Sequence, residues 1–305
     1  MDRLISNPTP KVIHVAVGII TNADGELLVA KRPDHWLGGG FWEFPGGKLE
    51  ANEDSVMALK RELLEEVGIT VNECTPLIRL TYAYPERTVI LHAWDVKLFS
   101  GKAAGLEGQE ISWRQPNTLN QLNMLPANRA IVVATLLPKE YLITPSCDDP
   151  EIFLSALEEK LIQSPTRMLK FQSDNLNDAD YLSVAKKIAV LCRNRKVTLL
   201  LSPINHALIN QTIADGVVMH TDQLLHMDQR PIAKETWLGA ACDTITELSR
   251  IEEIGIDFFE ITGEYDNETQ RNQLIAAANI PIYIREKQSS GFTIARRALW
   301  SGVSN

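Results

Sequence analysis

The most regular alternation of apolar and polar positions in the chain lies within residues 46–69. Asn52 or Asp54 can cap the start of a helix in this stretch, and Gly68 can end it. Apolar side chains recur there at the three- and four-residue spacing of one helix face. The pattern therefore predicts an amphipathic helix whose apolar stripe faces a core, formed by Val56, Leu59, Leu63 and Val67.

Short apolar runs surround this helix in the first 138 residues. A β-branched run at 12–20, a turn at 22–25 and a second run at 26–32 predict a β-hairpin. Further strands are expected at 77–83 and 88–99, and a last apolar helix at 130–137. Residues 1–138 are therefore predicted to form an α+β sandwich, with a mixed sheet between helices.

Residues 139–305 have a different rhythm, in which short apolar strands alternate with helical stretches such as 150–163, 178–193 and 244–254. Repeated βα units predict an α/β domain resembling a TIM barrel. The last two strands are too close for a crossover helix, so the end of the barrel is expected to be irregular or open. The eight predicted strands are 141–144, 168–172, 197–202, 216–220, 237–241, 257–262, 281–285 and 292–296.

Composition and charge narrow the class of protein. The 305 residues suffice for two domains. A net charge of -9 argues against stable binding of nucleic acid. We also expect no membrane association and a cytoplasmic location, because the sequence shows neither a signal peptide nor an apolar run of about 18 residues. The four cysteines are scattered singly, which indicates neither a disulfide framework nor a zinc site.

The predicted helix carries Glu62, Glu65 and Glu66 along one edge, where their charges repel one another. A divalent cation with oxygen ligands would relieve this repulsion, and Mg²⁺ uses carboxylates, waters and substrate phosphates in this way. Gly46 and Gly47, just before the helix, would let the backbone approach a metal or a phosphate closely. The alternative for the three carboxylates is an ordinary charged surface.

The spacing of these residues resembles the signature of the Nudix hydrolases. The resemblance implies a metal-dependent pyrophosphohydrolase that cleaves a nucleoside diphosphate linked to a further group. It also implies that Glu62, Glu65 and Glu66 hold divalent ions, that Arg61 orients a glutamate, and that Glu53 braces the loop. The matching positions are Gly47, Glu53, Arg61, Glu62, Leu63, Glu65, Glu66, Gly68 and Ile69.

Weaker motifs narrow the resemblance to the MutT type, which removes oxidised guanine nucleotides. They include KRP at 31–33, EFPGGK at 43–48, LEGQE at 106–110 and LPAN at 125–128. In that type Glu107 matches a further metal ligand, Arg32 a residue of the nucleotide pocket, and Asn128 the asparagine that binds the oxidised purine. Alternatively, Glu107 is a loop carboxylate in solvent, Arg32 makes a surface ion pair, and Asn128 caps the last helix.

Together these inferences define a predicted site. The cofactor is Mg²⁺, with Mn²⁺ as its substitute, and the substrate is a nucleoside triphosphate. The predicted metal ligands are Gly46, Glu62, Glu65, Glu66 and Glu107; the predicted substrate contacts are Arg32, Asn128, Gly46, Gly47 and Lys48; and the predicted catalytic residues are Glu53, Arg61, Glu62, Glu65 and Glu66.

The second half resembles the thiamine-phosphate synthases, including TenI-like proteins, through YLIT, ADGVVMH and GIDFFEIT. Their pyrophosphate-binding cluster after the second strand is replaced by residues 170–174, and an Asn-Asp pair that meets Mg²⁺ by Ser202-Pro203. The expected phosphate-binding glycines after the seventh strand are missing. We therefore expect no synthase activity, and the sequence names no protein partner for the barrel.

Three functions remain open at this point. The first is hydrolysis of an oxidised guanine nucleoside triphosphate to the monophosphate and pyrophosphate. The second keeps this chemistry with another nucleotide derivative, such as a nucleotide sugar. The third is a nucleotide sensor without catalysis, in which the barrel offers a surface to a partner.

Overall fold

The computed structural model describes residues 11–36, 38–202, 214–242, 248–262, 268–286 and 291–300. The chain divides into two compact units, the first comprising Met1–Leu136 with Leu299–Asn305 and the second Leu137–Ala298. The sequence grouped Leu299 and Trp300 with the barrel instead. Trp300 explains this difference, since its ring lies 5.3 Å from that of His92 and 5.0 Å from that of Trp94 between centroids. Its indole is therefore buried in the first unit.

The first unit contains a mixed four-stranded sheet in the order β4-β1-β6-β5, in which β1 and β6 run parallel and the other pairs antiparallel. Helix α1 lies on one face, with Leu59 and Leu63 against Gly18 of β1. The other face packs against α2, whose Ile131 joins the same core as Val17. The elements are β1 Lys11–Ile20, β2 Leu27–Lys31, β3 Trp42–Glu43, β4 Gly46–Lys48, α1 Ser55–Val67, β5 Thr70–Tyr84, β6 Arg87–Ser100, β7 Glu110–Arg114 and α2 Arg129–Leu136.

The predicted hairpin of β1 and β2 is wrong. The two strands share only one isolated bridge, between Thr21 and Leu27. Strand β1 is hydrogen-bonded on both sides by β4 and β6, so it has no edge left for β2. Strand β2 instead lies at the centre of a separate antiparallel sheet, in the order β3-β2-β7. The turn signal at residues 22–25 thus predicts the chain reversal correctly but not the pairing.

The second unit is a closed barrel in the order β10-β11-β12-β13-β14-β15-β8-β9, and all eight predicted strands are present. Helices pack around it, and no helix in the described parts of the chain has the length and apolar composition needed to cross a bilayer. The elements are β8 Glu140–Ile143, α3 Pro150–Gln163, β9 Met168–Gln172, α4 Asp178–Arg195, β10 Thr198–Ser202, β11 Gly216–His220, α5 Thr221–Leu224, β12 Trp237–Cys242, α6 Leu248–Glu253, β13 Phe258–Ile261, α7 Glu268–Ala277, β14 Ile282–Glu286 and β15 Thr293–Arg297.

The last strand makes this barrel irregular. Strand β15 is antiparallel to both of its neighbours, β14 and β8, whereas the other pairs are parallel. Only residues 287–292 separate β14 from β15, too few for the helical crossover that a parallel strand needs. Of the two alternatives predicted from the sequence, an irregular or an open end, the structure has the irregular one, and the barrel is closed. An antiparallel return closes the sheet without a crossover.

A charged network fills part of the barrel interior. Leu169 and Phe171 point outward into the core beneath the helices, so Lys170 between them points inward. Its Nζ lies 2.5 Å from an Oε of Glu260, and the same carboxylate accepts hydrogen bonds from Arg285 Nε at 2.7 Å and from the Tyr141 hydroxyl. Burial lowers the pKa of Lys170 to about 8, against the opposing charge of Glu260.

Replacing Glu260 by Gln should destabilise the barrel by about 3–5 kcal/mol, because it leaves the charges of Lys170 and Arg285 without their shared partner. The matched control is Glu140→Gln, which removes an exposed pair with Arg296 and should cost no more than about 1 kcal/mol. Urea unfolding followed by circular dichroism measures both changes. Equal losses in the two variants would show that the interior network does not stabilise the barrel.

Candidate active site

Helix α1 begins and ends where its sequence predicts. The carboxylate of Asp54, rather than the side chain of Asn52, accepts hydrogen bonds from the N–H groups of Val56 and Met57, both at 2.8 Å. Gly68 ends the helix in the left-handed conformation with φ 68°. These two ends fix which edge of the helix faces the loop at residues 46–47.

Arg61 clamps Glu53 to the helix. Its Nε and Nη2 each donate to a different carboxylate oxygen of Glu53 at 2.8 Å, which is the bidentate geometry that favours an arginine–carboxylate pair. The backbone N–H of Glu50 donates to the same carboxylate at 2.9 Å. These bonds, the arginine first, lower the pKa of Glu53 to about 2. Glu53 therefore stays charged and fixes the loop that precedes the helix.

The same guanidinium also contacts two of the three helix-edge carboxylates. Nη1 of Arg61 donates to Glu62 at 2.9 Å and to Glu65 at 3.3 Å, while Nη2 donates to the backbone carbonyl of Lys48 at 3.1 Å. Glu62 is mostly buried, and Glu65 is more than half exposed. The side chain of Lys48 is exposed, so in this arrangement Lys48 contributes its carbonyl to the network.

The glycine loop lies directly on this edge of α1. The N–H of Gly46 donates to Glu66 Oε2 at 3.0 Å. A Cβ at Gly47 would lie 2.2 Å from the carboxyl carbon of Glu62, and one at Gly46, with φ 145°, would lie 2.1 Å from the carbonyl oxygen of Ala16. Gly46 therefore requires glycine, because a side chain there would collide with the backbone of β1, whereas a side chain at Gly47 would displace the carboxylate of Glu62.

Glu66 has an unusual electrostatic environment. Burial, together with the neighbouring charges of Glu43, Glu62 and Glu107, raises its pKa to about 8, against the hydrogen bond from Gly46. A carboxylate surrounded by other carboxylates lacks a counter-charge. The chemistry of these hard oxygen donors therefore fits a divalent cation of the Mg²⁺ class.

Glu107 is brought to this position by hydrogen bonds at the end of α1. The N–H of Leu106 and the side-chain amide of Gln109 both donate to the carbonyl of Glu66 at 2.9 Å. The amide oxygen of Gln109 in turn accepts from the N–H of Glu107 at 2.9 Å. Gln109 was not predicted from the sequence, although it lies within the LEGQE motif. It ties the loop that carries Glu107 to the helix that carries Glu66.

A cleft beside Glu66 contains Arg32 and a second residue that the sequence did not single out, Glu43. Both carboxylate oxygens of Glu43 lie 2.8 Å from Nη1 of Arg32, and the guanidinium stacks over the ring of Trp36 at 5.6 Å from its centroid. Arg32 therefore makes an ion pair, but one within a cleft that Glu66 and Glu107 also line.

Asn128 lies on the other side of the same segment. Its Oδ1 accepts from the N–H of Phe44 at 3.4 Å, and its side chain is buried. Asn128 is the last residue of a short 3-10 helix, Pro126–Asn128, and its side chain bonds to the segment between β3 and β4 rather than to the first turn of α2. The hydrogen bonds therefore do not show Asn128 as a helix cap.

Tyr84 pairs with Arg87 across a β-turn, next to the ring of Tyr82.

In the part of the chain that the structure describes, no three acidic, histidine or cysteine side chains already converge as a ligand set. In the first unit Arg61 bonds to Glu62 and Glu65, so ligation there requires these carboxylates to turn from the guanidinium. In the barrel, His220 caps α5 by accepting a hydrogen bond from the N–H of Asp222.

Comparisons with known proteins agree with this geometry. A family model described as NUDIX domain matches residues 16–134, and one described as thiamine monophosphate synthase matches residues 140–285. The 8-oxo-dGTP diphosphatase of Escherichia coli is 37% identical over 122 residues, which span 40% of this chain and 95% of that protein. The chain belongs to the Nudix hydrolase family. The Nudix unit carries this membership, and hydrolases of the family generally use divalent metal ions such as Mg²⁺.

Other relatives of the Nudix unit differ in their names. The CTP pyrophosphohydrolase of Escherichia coli is 36% identical over 124 residues, covering 41% of this chain and 91% of that protein. A solved structure from a study of MutT from Aliivibrio salmonicida and Vibrio cholerae is 39% identical, covers 41% of this chain and 98% of that one, and has a TM-score of 0.37.

The raised pKa of Glu66 predicts how pH and Mg²⁺ act on the stability of the Nudix unit. A carboxyl group whose pKa rises from about 4.5 unfolded to about 8 folded contributes stability below the lower value and loses it as pH rises through the higher one. In EDTA, the wild type should therefore lose melting temperature relative to Glu66→Gln between pH 5 and pH 8.5.

Added Mg²⁺ should reverse this loss at pH 8.5 in the wild type and have less effect at pH 5, because metal binding competes with the proton. The Glu66→Gln variant should gain much less from Mg²⁺ at either pH. Scanning fluorimetry across the pH series measures both effects. Parallel curves for the two proteins, with equal Mg²⁺ shifts, would contradict the assignment.

Proposed function

We propose that this protein is a Mg²⁺-dependent nucleoside triphosphate pyrophosphohydrolase that converts 8-oxo-dGTP to 8-oxo-dGMP and pyrophosphate. Its role would be to remove oxidised guanine nucleotides from the cytoplasmic pool before DNA replication. The observation that carries the proposal is the carboxylate cluster held by Arg61 beside the Gly46–Gly47 loop.

The residues of the cluster would divide the work. Bound Mg²⁺, or Mn²⁺ in its place, would supply charge neutralisation for the polyphosphate and a lowered pKa for a coordinated water. Glu53 and Arg61 keep the helix edge and the loop in register. Deprotonation of Glu66 would complete the ligand set, in which the side chain of Glu65 is more than half exposed. The proposed ligands are Gly46, Glu62, Glu65, Glu66 and Glu107.

The substrate pocket would lie along residues 43–46. Arg32 offers a guanidinium to the phosphates. Gly47 and Lys48 lie close to the edge of α1 that carries the carboxylates. The amide of Asn128 carries both a donor and an acceptor and can therefore pair with the edge of a purine. The hydrogen bond that Asn128 accepts from the N–H of Phe44 fixes its side chain, which supports a role in base recognition.

Two relatives of almost equal identity have names with different bases, 8-oxo-dGTP diphosphatase and CTP pyrophosphohydrolase. The second candidate substrate is therefore CTP. For the barrel unit we propose no synthase activity. Lys170 and Gln172 belong to the segment that replaces the pyrophosphate-binding cluster, and both contact the network of Glu260 and Arg285.

A nucleotide panel with Mg²⁺ tests the proposal. We expect kcat/KM for 8-oxo-dGTP to exceed that for dGTP and CTP, with pyrophosphate as the product. Equal values for 8-oxo-dGTP and dGTP would contradict the choice of base, and a preference for CTP would select the second candidate. Release of orthophosphate would contradict the proposed bond cleavage.

Glu62→Gln should lower kcat by about 10³-fold or more, since loss of a metal-binding carboxylate removes stabilisation of the transition state. The matched control is Glu73→Gln, an exposed glutamate on β5 that should leave turnover within about twofold. A Glu62→Gln protein that retains turnover would exclude this carboxylate from catalysis. A wild-type protein that binds the nucleotide but does not turn it over would favour a sensor.

A further inference from the structure

Glu43 places a carboxylate in the cleft where a polyphosphate is proposed to bind. Its side chain is 23% exposed and lines the cleft with Glu66 and Glu107. A negative charge there disfavours a polyphosphate by like-charge repulsion, and it also adds to the repulsion around Glu66. A carboxylate in this position therefore needs a compensating role.

The contacts of Arg32 indicate what that role is. Both carboxylate oxygens of Glu43 accept hydrogen bonds from Nη1 of Arg32 at 2.8 Å, and the ring of Trp36 lies against the guanidinium. The backbone is fixed as well, because the N–H of Arg32 donates to the carbonyl of Phe41 and its carbonyl accepts from Gly40. A long side chain held in this way loses little further freedom when it binds an anion.

The segment 43–46 ties this pair to both other parts of the site. The next residue, Phe44, donates its N–H to Asn128, and Gly46 donates its N–H to Glu66. Glu43 and Ala30 are paired across β3 and β2, so Arg32 extends from the strand beside this segment. The Arg32 guanidinium is therefore held in register with the proposed base contact and the proposed metal ligands.

We propose that Glu43 is a positioning residue that orients Arg32 toward the substrate polyphosphate and acts on the reaction only through Arg32. This inference rests on the proposed function. The proposal excludes a direct role of Glu43 as a metal ligand. If Glu43 were a ligand, its replacement would impair the reaction even in a protein that lacks the Arg32 side chain.

A double-mutant cycle separates these two roles. We expect Glu43→Gln to raise KM for the triphosphate about tenfold, the effect typical of a hydrogen bond to a charged group, while kcat changes less than threefold. Arg32→Gln should raise KM at least as much. The double variant should be no worse than Arg32→Gln alone, and the Mg²⁺ concentration for half-maximal rate should not change in Glu43→Gln.

Additive losses in the double variant, or a higher Mg²⁺ requirement on adding Glu43→Gln to Arg32→Gln, would overturn the proposal. A Glu43→Gln protein with wild-type KM would do the same. If Glu43→Gln does not fold, Glu43→Asp, whose shorter side chain withdraws the carboxylate from Arg32, takes its place in the cycle with the same expected rise in KM, and an unchanged KM would overturn the proposal. The matched control is Glu110→Gln, the exposed partner of Lys31, which should leave KM unchanged.

The dissociation constants of a non-hydrolysable triphosphate with Mg²⁺, measured by calorimetry on the same variants, make the test independent of turnover. They should follow the KM values through the cycle. Lack of turnover in the wild type would count against the proposed hydrolysis, whereas the binding series would still decide the role of Glu43. Equal binding by the wild type and Glu43→Gln would overturn that role.

Discussion

Carboxylates crowded along one edge of α1 repel one another, and this repulsion is the constraint around which the Nudix unit is arranged. Arg61 restrains Glu53, Glu62 and Glu65 with one guanidinium, and the N–H of Gly46 holds Glu66. Glycine is required at position 46 because β1 leaves no room for a side chain there, and a side chain at position 47 would displace the Glu62 carboxylate. The arrangement keeps several acidic groups close together without neutralising all of them. A divalent cation bringing a polyphosphate would supply the missing positive charge.

The two units treat their buried carboxylates in opposite ways. Glu66 has few donors and acidic neighbours, and burial raises its pKa to about 8. Glu260 in the barrel accepts hydrogen bonds from Lys170, Arg285 and Tyr141. Burial raises its pKa, but the charges of Lys170 and Arg285 outweigh burial, so the pKa of Glu260 is lowered. A carboxylate in the first environment gains from a ligand of positive charge, whereas one in the second already has its partners. This contrast supports a catalytic role for the Nudix unit and a structural role for the network inside the barrel.

Local sequence signals predicted the elements well, and partners distant in the chain were the main source of error. The apolar stripe, Asp54 and Gly68 were enough to define α1, and the strand runs of the barrel were all found. The short interval after β14 even indicated that the barrel would be irregular. The pairing of β1 was missed because a turn specifies a reversal and not a neighbour. Glu43 and Gln109 were missed because their roles depend on Arg32 and Glu66, which only the folded chain brings to them.

The most direct measurement of the central claim is an anomalous diffraction map from crystals of the full chain grown with Mn²⁺ and a non-hydrolysable nucleoside triphosphate. The account predicts anomalous peaks between the phosphates and the carboxylates of Glu62 and Glu66, with Glu62 released from Arg61. Peaks elsewhere in the molecule would contradict it, as would a bound nucleotide with Glu62 still on Arg61 and no metal beside Glu66.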